Sequence, residues 1–381
     1  MADNTKIEWT DATWNPITGC SIVSPGCTNC YAMKLAGTRL QHHPSRARLT
    51  KDSKAGPVWT GEVRFNEQWL TEPLKWKRPR MIFVCAHGDL FAEGVPDEWI
   101  DKIFAIMALA PHHTFQVLTK RPERMREYLV RFKPSPILDG FITRDGIHSA
   151  DSPKGWPIFS QWPLPNIWLG VSVEDQPRAK ERITTLLQTP AAIRWVSAEP
   201  LIGPLNLTSI DIDSDGVLDA LNIHTWGEEI ANWRDTDKNW EASFLDWFDL
   251  GELPDEDDPI LPRLDWVVAG GEGGRNARPM HPDWARSLRD QCAAAGVPFL
   301  FKQWGQWGPI EETVGSHEQF AISHSGKLVK SADLAYPDGK ARSSLSEEDR
   351  PGLHSMYSVG KKAAGRLLDG VEHNGFPEVQ S

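Results

Sequence analysis

Three cysteines near the start of the chain carry the strongest chemical signal. Cys20, Cys27 and Cys30 form a C-x6-C-x2-C cluster inside the run Gly19-Cys20-Ser21-Ile22-Val23-Ser24-Pro25-Gly26-Cys27-Thr28-Asn29-Cys30. Thiolates are soft donors that suit zinc or iron–sulfur clusters. Cys27 and Cys30 can face one metal from a tight loop, and Pro25 and Gly26 turn the chain so that Cys20 can join them. Three thiolates are one short of the four that commonly close such a site. Three readings follow. The cysteines bind three irons of a [4Fe–4S] cluster and leave the fourth open to a small molecule. Alternatively a histidine such as His42 or His43 completes a Cys3His zinc site, or the thiols are unligated. A compact cluster in a chain of five cysteines makes the last reading the least expected. Cys85 and Cys292 fall in an apolar strand and a helix, and read as buried small hydrophobes.

A second set of chemical residues stands at the ends of short apolar runs. Met81–Ala86 leads to Asp89, Thr114–Leu118 to Lys120, Ile167–Val173 to Glu174, Ile193–Ser197 to Glu199, Leu264–Ala269 to Glu272, and Val297–Phe301 to Lys302. The apolar runs read as buried strands. Helical spacing follows several of them, as in Ile100, Ile103, Phe104 and Met107, or Ala179, Ile183, Leu186 and Leu187. Strands alternating with helices predict an α/β fold of parallel βαβ units, an incomplete parallel (β/α) barrel. In such a barrel the strand ends share one face, so six charged ends, four of them carboxylates, predict a polar pocket there.

The barrel pattern is interrupted. Between Ser209 and Arg263 there are 16 Asp/Glu against three Lys/Arg, a net −13 in a chain of net −11. Trp226, Trp233, Trp240 and Trp247 recur there every seven residues, along one face of one or two helices. The expected organisation is the cysteine loop and first barrel part over 1–208, an acidic insertion over 209–263, the last barrel part over 264–308 and a C-terminal extension over 309–381. Lys34–Arg80 is basic, 11 Lys/Arg against four Asp/Glu, and Trp9, Trp14, Trp59, Trp69 and Trp76 flank or interleave it. Bases could stack on such aromatics beside phosphate contacts, which makes nucleic acid a candidate partner. No run of about 18 apolar residues occurs, and Met1–Asp11 has no signal-peptide core. The expectation is a cytoplasmic protein without a membrane span.

The motifs TWNPITGC, SPGCTNCYA, TKRPERM, SAEPLIGP, VVAGGEGG and FKQWG together resemble a phage and prophage three-cysteine protein family of unknown function with a radical-SAM-like core. More distantly the chain resembles the radical S-adenosylmethionine (SAM) superfamily. That resemblance implies a radical SAM-type barrel carrying a [4Fe–4S] cluster on Cys20, Cys27 and Cys30. SAM would sit on the open iron, and an electron donor such as flavodoxin or ferredoxin would reduce the cluster. Gly88 and Asp89 stand where the superfamily meets the SAM amino group. Ser172 and Glu174 would hold ribose hydroxyls or the carboxylate end of SAM, and Glu199 is a further pocket candidate. Spore photoproduct lyase, a relative that repairs DNA, supplies the analogy for action on nucleic acid. The alternative is a non-catalytic, zinc- or cluster-stabilised binding protein that engages nucleic acid or a host protein.

Overall fold

The computed structural model describes residues 5–132, 162–212, 217–225, 259–309, 319–330 and 353–378, with residue 241. Seven parallel strands make the central sheet: β1 (Ala12–Trp14), β2 (Met81–Val84), β3 (Thr114–Thr119), β4 (Ile167–Ser172), β5 (Ile193–Ala198), β6 (Trp266–Gly270) and β7 (Phe299–Gln303). Their spatial order is their sequence order, and the sheet curls into a half-barrel. Among the described residues the helices of six residues or more are α1 (Tyr31–Ala36), α2 (Asp97–Leu109), α3 (Pro122–Arg131), α4 (Gln176–Leu187) and α5 (Pro282–Ala294). Six of the strands match the apolar runs read from the sequence. β1, three residues long, is an edge strand that the motif TWNPITGC concealed.

Local chemistry sets the helix starts. Proline occupies the first turn of α3, α4 and α5, where its missing N–H costs no intrahelical bond. Asp175 caps α4 by accepting the Arg178 N–H at 3.2 Å.

Each strand divides its side chains between two faces. Ile82, Val84, Phe115, Val117, Leu169, Val171, Val196, Val267 and Phe301 pack outward against the helices in one large core. The concave face carries a separate cluster of Trp9, Phe83, Trp168, Trp195, Trp266, Val268 and Leu300. Trp9 closes the bottom of this bowl. Its ring lies 4.7 Å from Phe83 and 5.2 Å from Trp195, and Gln116 on β3 donates to its carbonyl at 3.0 Å. Gly170 pairs with Trp195 across β4 and β5. A Cβ at Gly170 would stand 2.4 Å from that indole, so only glycine lets the ring lie across the sheet.

The free edge of β7 is covered by the chain's own tail. Phe301 N donates to His373 O at 3.0 Å and Gly375 N to Phe299 O at 2.9 Å, which removes an exposed strand edge. The extension also forms an antiparallel sheet of Trp307–Gly308, His354–Ser358, Gln319–Ile322 and Leu328–Lys330. A short helix, Lys361–Ala364, follows in the tail.

The described parts of the acidic segment supply no strand to the central sheet. Ile210–Asp211 pairs with Val217–Leu218, and His224–Thr225 with Pro259–Leu261. Ile210, Leu218, Ala220 and Leu221 are nevertheless buried in the main core, so the segment begins as part of the barrel's packing. The seven-residue tryptophan repeat lies outside the described residues. No helix is long and apolar enough to cross a membrane among the described residues.

Candidate functional site

The six charged strand ends gather at the C-terminal edge of the half-barrel, and each is paired. Asp89 meets the Arg121 guanidinium at 3.0 Å. It also accepts from Thr119 Oγ1 at 2.7 Å, Phe91 N at 3.0 Å and Lys120 N at 3.1 Å. Both of its oxygens are thus occupied from within the protein. Lys120 reaches Glu174 at 2.5 Å and also contacts the Ser172 hydroxyl. Glu174 has a second cation in Arg182, 3.3 Å away and itself buried. Burial alone would raise the Glu174 carboxyl; Lys120 and Arg182 together outweigh it and hold the group below its ordinary value. Lys302 lies 2.8 Å from the Glu199 carboxylate, which also accepts from Gln303 at 3.2 Å. Glu272 pairs with Arg278 at 2.6 Å.

Period-two geometry brings most of these groups inward. Lys120 follows inner-face Leu118 by two residues, Glu272 follows Gly270, and Lys302 follows Leu300. Glu174 and Glu199 continue the inner files through Ser172 and Ser197. Above the tryptophan floor these files enclose a cavity of about 710 Å³, within the range of small-molecule sites.

The cysteine loop forms one wall of that cavity. Cys20, Cys27 and Cys30 line it together with Gly88, Asp89, Lys120, Ser172, Glu199 and Lys302. Cys27 ends a 3-10 turn, Pro25–Cys27, and Cys30 caps α1. Two contacts pin this loop to β4: Ser24 Oγ donates to Glu174 at 2.9 Å, and Gly26 lies against the same side chain. A Cβ at Gly26 would stand 2.4 Å from Glu174 Cγ. A third contact pins it to β6, where Asn29 donates to Glu272 at 2.9 Å. Cys20 is placed by Gly19, whose φ of +95° favours glycine, and which bridges to Gly88. A Cβ at Gly88 would meet Gly19 O at 3.0 Å. The close approach that Gly88 permits is therefore to the cysteine strand.

Residues 4–377 match a family described as a protein of unknown function, DUF5131. The chain belongs to that family. No curated protein and no solved structure matches it.

In this DUF5131 chain Cys20 and Cys30 sit where a bare thiolate is disfavoured. Burial first, then Asp89 and the neighbouring Cys30 and Cys27, push Cys20 up to about 12, against the opposing pull of Arg121. Burial likewise raises Cys30, although the backbone N–H groups of Met33 and Ala32 oppose it. A cation among the sulfurs would reverse that balance, because coordination stabilises the deprotonated form. Thiolates are soft donors, and an all-sulfur set suits zinc or an iron–sulfur cluster. His42 and His43 are not among the residues lining the cavity, and His43 Nδ1 lies 2.6 Å from Ser45 Oγ.

Of the site residues expected from the sequence, Cys20, Cys27, Cys30, Gly88, Asp89, Ser172 and Glu199 share the cavity wall. Glu174 lies behind it, fully buried. Cys85 and Cys292 are buried in the main core. Sequence reasoning missed Ser197, Gln303 and Lys361, which also line the cavity. Ser197 was legible from strand parity. Lys361 arrives from the tail, 3.6 Å from Glu8, and no local signal announces it. Trp9 and Trp14, expected as stacking platforms, are core residues at 2% and 0% exposure.

Proposed function

We propose that this protein is an iron–sulfur enzyme of the radical SAM type. The observation that carries the reading is the three-cysteine wall of a largely apolar cavity, edged by charged strand ends, at the C-terminal mouth of a parallel half-barrel. Cys20, Cys27 and Cys30 would hold three irons of a [4Fe–4S] cluster and leave one iron open toward the cavity. When bound and reduced, the cluster with SAM supplies one electron to the sulfonium, giving methionine and a 5′-deoxyadenosyl radical able to abstract a substrate hydrogen.

The chain's own residues bind, orient and exclude water. Trp9, Phe83 and Leu118 give the cavity an apolar lining, which keeps water from a reactive site. Lys120 lines the cavity, and its ammonium, held by Glu174 and Ser172, suits the SAM carboxylate. Ser172 and Glu199 offer a hydroxyl and a carboxylate for ribose or the amino group. Asp89 and Glu174 act through others: their internal bonds fix Arg121 and Lys120. Gly88 lets the cysteine strand approach. The substrate class we favour is nucleic acid, on the basic character of residues 34–80.

Anaerobic reconstitution with iron and sulfide, reduction and incubation with SAM tests the reading. The expected result is cluster-dependent 5′-deoxyadenosine. Stoichiometric zinc in anaerobically prepared protein, with no iron and no SAM cleavage, would instead support a redox-silent binding protein.

A further inference from the structure

A second group of metal-type donors stands at a junction that the proposed cluster does not use. His281 caps the start of α5, Asp283 lies in its first turn, and His324 comes from the turn between Gln319–Ile322 and Leu328–Lys330. One donor atom from each falls within 4.8 Å of the others. A third imidazole, outside that group, stands beside it on the strand His354–Ser358: His354 Nε2 is 3.5 Å from Asp283 Oδ2. His281 Nδ1 lies 3.9 Å from the same oxygen. From these contacts we infer that His281, Asp283, His324 and His354 form a binding site for a divalent transition metal, with zinc as the best-suited ion.

The chemistry supports this. Imidazoles with one carboxylate suit zinc and its first-row neighbours rather than magnesium or calcium. In a tetrahedral site with bonds of about 2.0–2.1 Å, donor atoms lie roughly 3.3 Å apart, so the 3.5 and 3.9 Å separations close by small movements. The donors are held from behind. Arg286 occupies the other Asp283 oxygen at 2.8 Å, which aims Oδ2 at the histidines. Trp284 Nε1 donates to His324 O at 2.8 Å, seating the turn on α5. His281 Nδ1 accepts the Asp283 N–H at 3.1 Å; as a ligand, Nδ1 would exchange that bond for the metal and keep its proton on Nε2. The α5 dipole opposes a cation here, and Asp283 is the charge that offsets it. The donors come from three segments, so the ion would tie the C-terminal sheet to the barrel.

Cobalt(II) titration of the full chain tests the site, because its visible bands separate thiolate from imidazole ligation. The wild type should take up one equivalent without a sulfur-to-metal charge-transfer band. The Cys20→Ser/Cys27→Ser/Cys30→Ser variant should retain that equivalent. His324→Ala and His354→Ala, which alter exposed and half-buried side chains, should each weaken it by at least about tenfold. Zinc should raise the thermal midpoint of the wild type and not of His324→Ala. Unchanged cobalt affinity in both histidine variants, or uptake only with thiolate bands, overturns the proposal.

Discussion

Ser24 donates its hydroxyl to Glu174 at 2.9 Å, joining two residues 150 positions apart in the chain. That bond fastens the cysteine loop to the end of β4, where Glu174 already pairs with Lys120 and Arg182. The cysteine loop and the barrel mouth are thus one mechanical unit.

Breaking that unit should be costly. Glu174→Ala leaves the buried Arg182 without its carboxylate and should destabilise the fold by about 3–5 kcal/mol, read by urea denaturation. Gly26→Ala drives a methyl into Glu174 and should lower iron retention with a smaller loss of stability. Native iron content in Gly26→Ala would show that the contact does not position the loop.

Stability should also fall with acid in a way that reports Glu174. Its folded carboxyl is held below the ordinary value near 4.5, so its contribution is complete above that value and is lost as pH falls through the lowered folded one. The stability difference between wild type and Glu174→Gln should therefore shrink below about pH 4.5. A constant difference down to pH 3 would reject the assignment.

Iron content should follow the three cysteines alone. Cys20→Ala, Cys27→Ala and Cys30→Ala together should abolish iron and sulfide binding under anaerobic conditions. Cys85→Ala and Cys292→Ala remove buried core groups, so each should lower the melting temperature and leave iron stoichiometry unchanged.

Asp89→Ala should weaken SAM binding roughly ten- to a hundredfold, the loss of about 1.5–3 kcal/mol. Because four internal donors occupy its oxygens, affinity and stability should fall together. Lost affinity with native stability would mean that Asp89 touches SAM directly.

Binding to single-stranded nucleic acid should weaken steeply with salt. Arg46 is a poor residue to test, since it is 4% exposed and lies over the Trp69 ring. Arg48, Lys51 and Lys54 are exposed; their joint change to Glu should reduce affinity and flatten the salt slope. No binding at low salt with the cluster intact would remove nucleic acid as the partner.

The sequence by itself determined the barrel and the direction of its mouth. Apolar runs such as Met81–Val84 and Ile167–Ser172 announce buried parallel strands, because strands covered on both faces need no alternation. The charged residue beyond each run marks the exit toward one face. The cysteine spacing put three soft donors within eleven residues of one another, and the fold set all three on one cavity wall. Only the tertiary structure decided which charges neutralise which. Asp89 reads as a free carboxylate until Thr119, Lys120 and Arg121 fold against it. Glu174 reads as a pocket residue until Gly26 and Ser24 cover it. The tryptophans divided in the same way: composition counts them, but burial turns Trp9 into a floor rather than a stacking surface. The histidine group needed the fold most of all. His281, His324 and His354 come from separate segments, and only the packing of the C-terminal sheet on α5 brings their donors together.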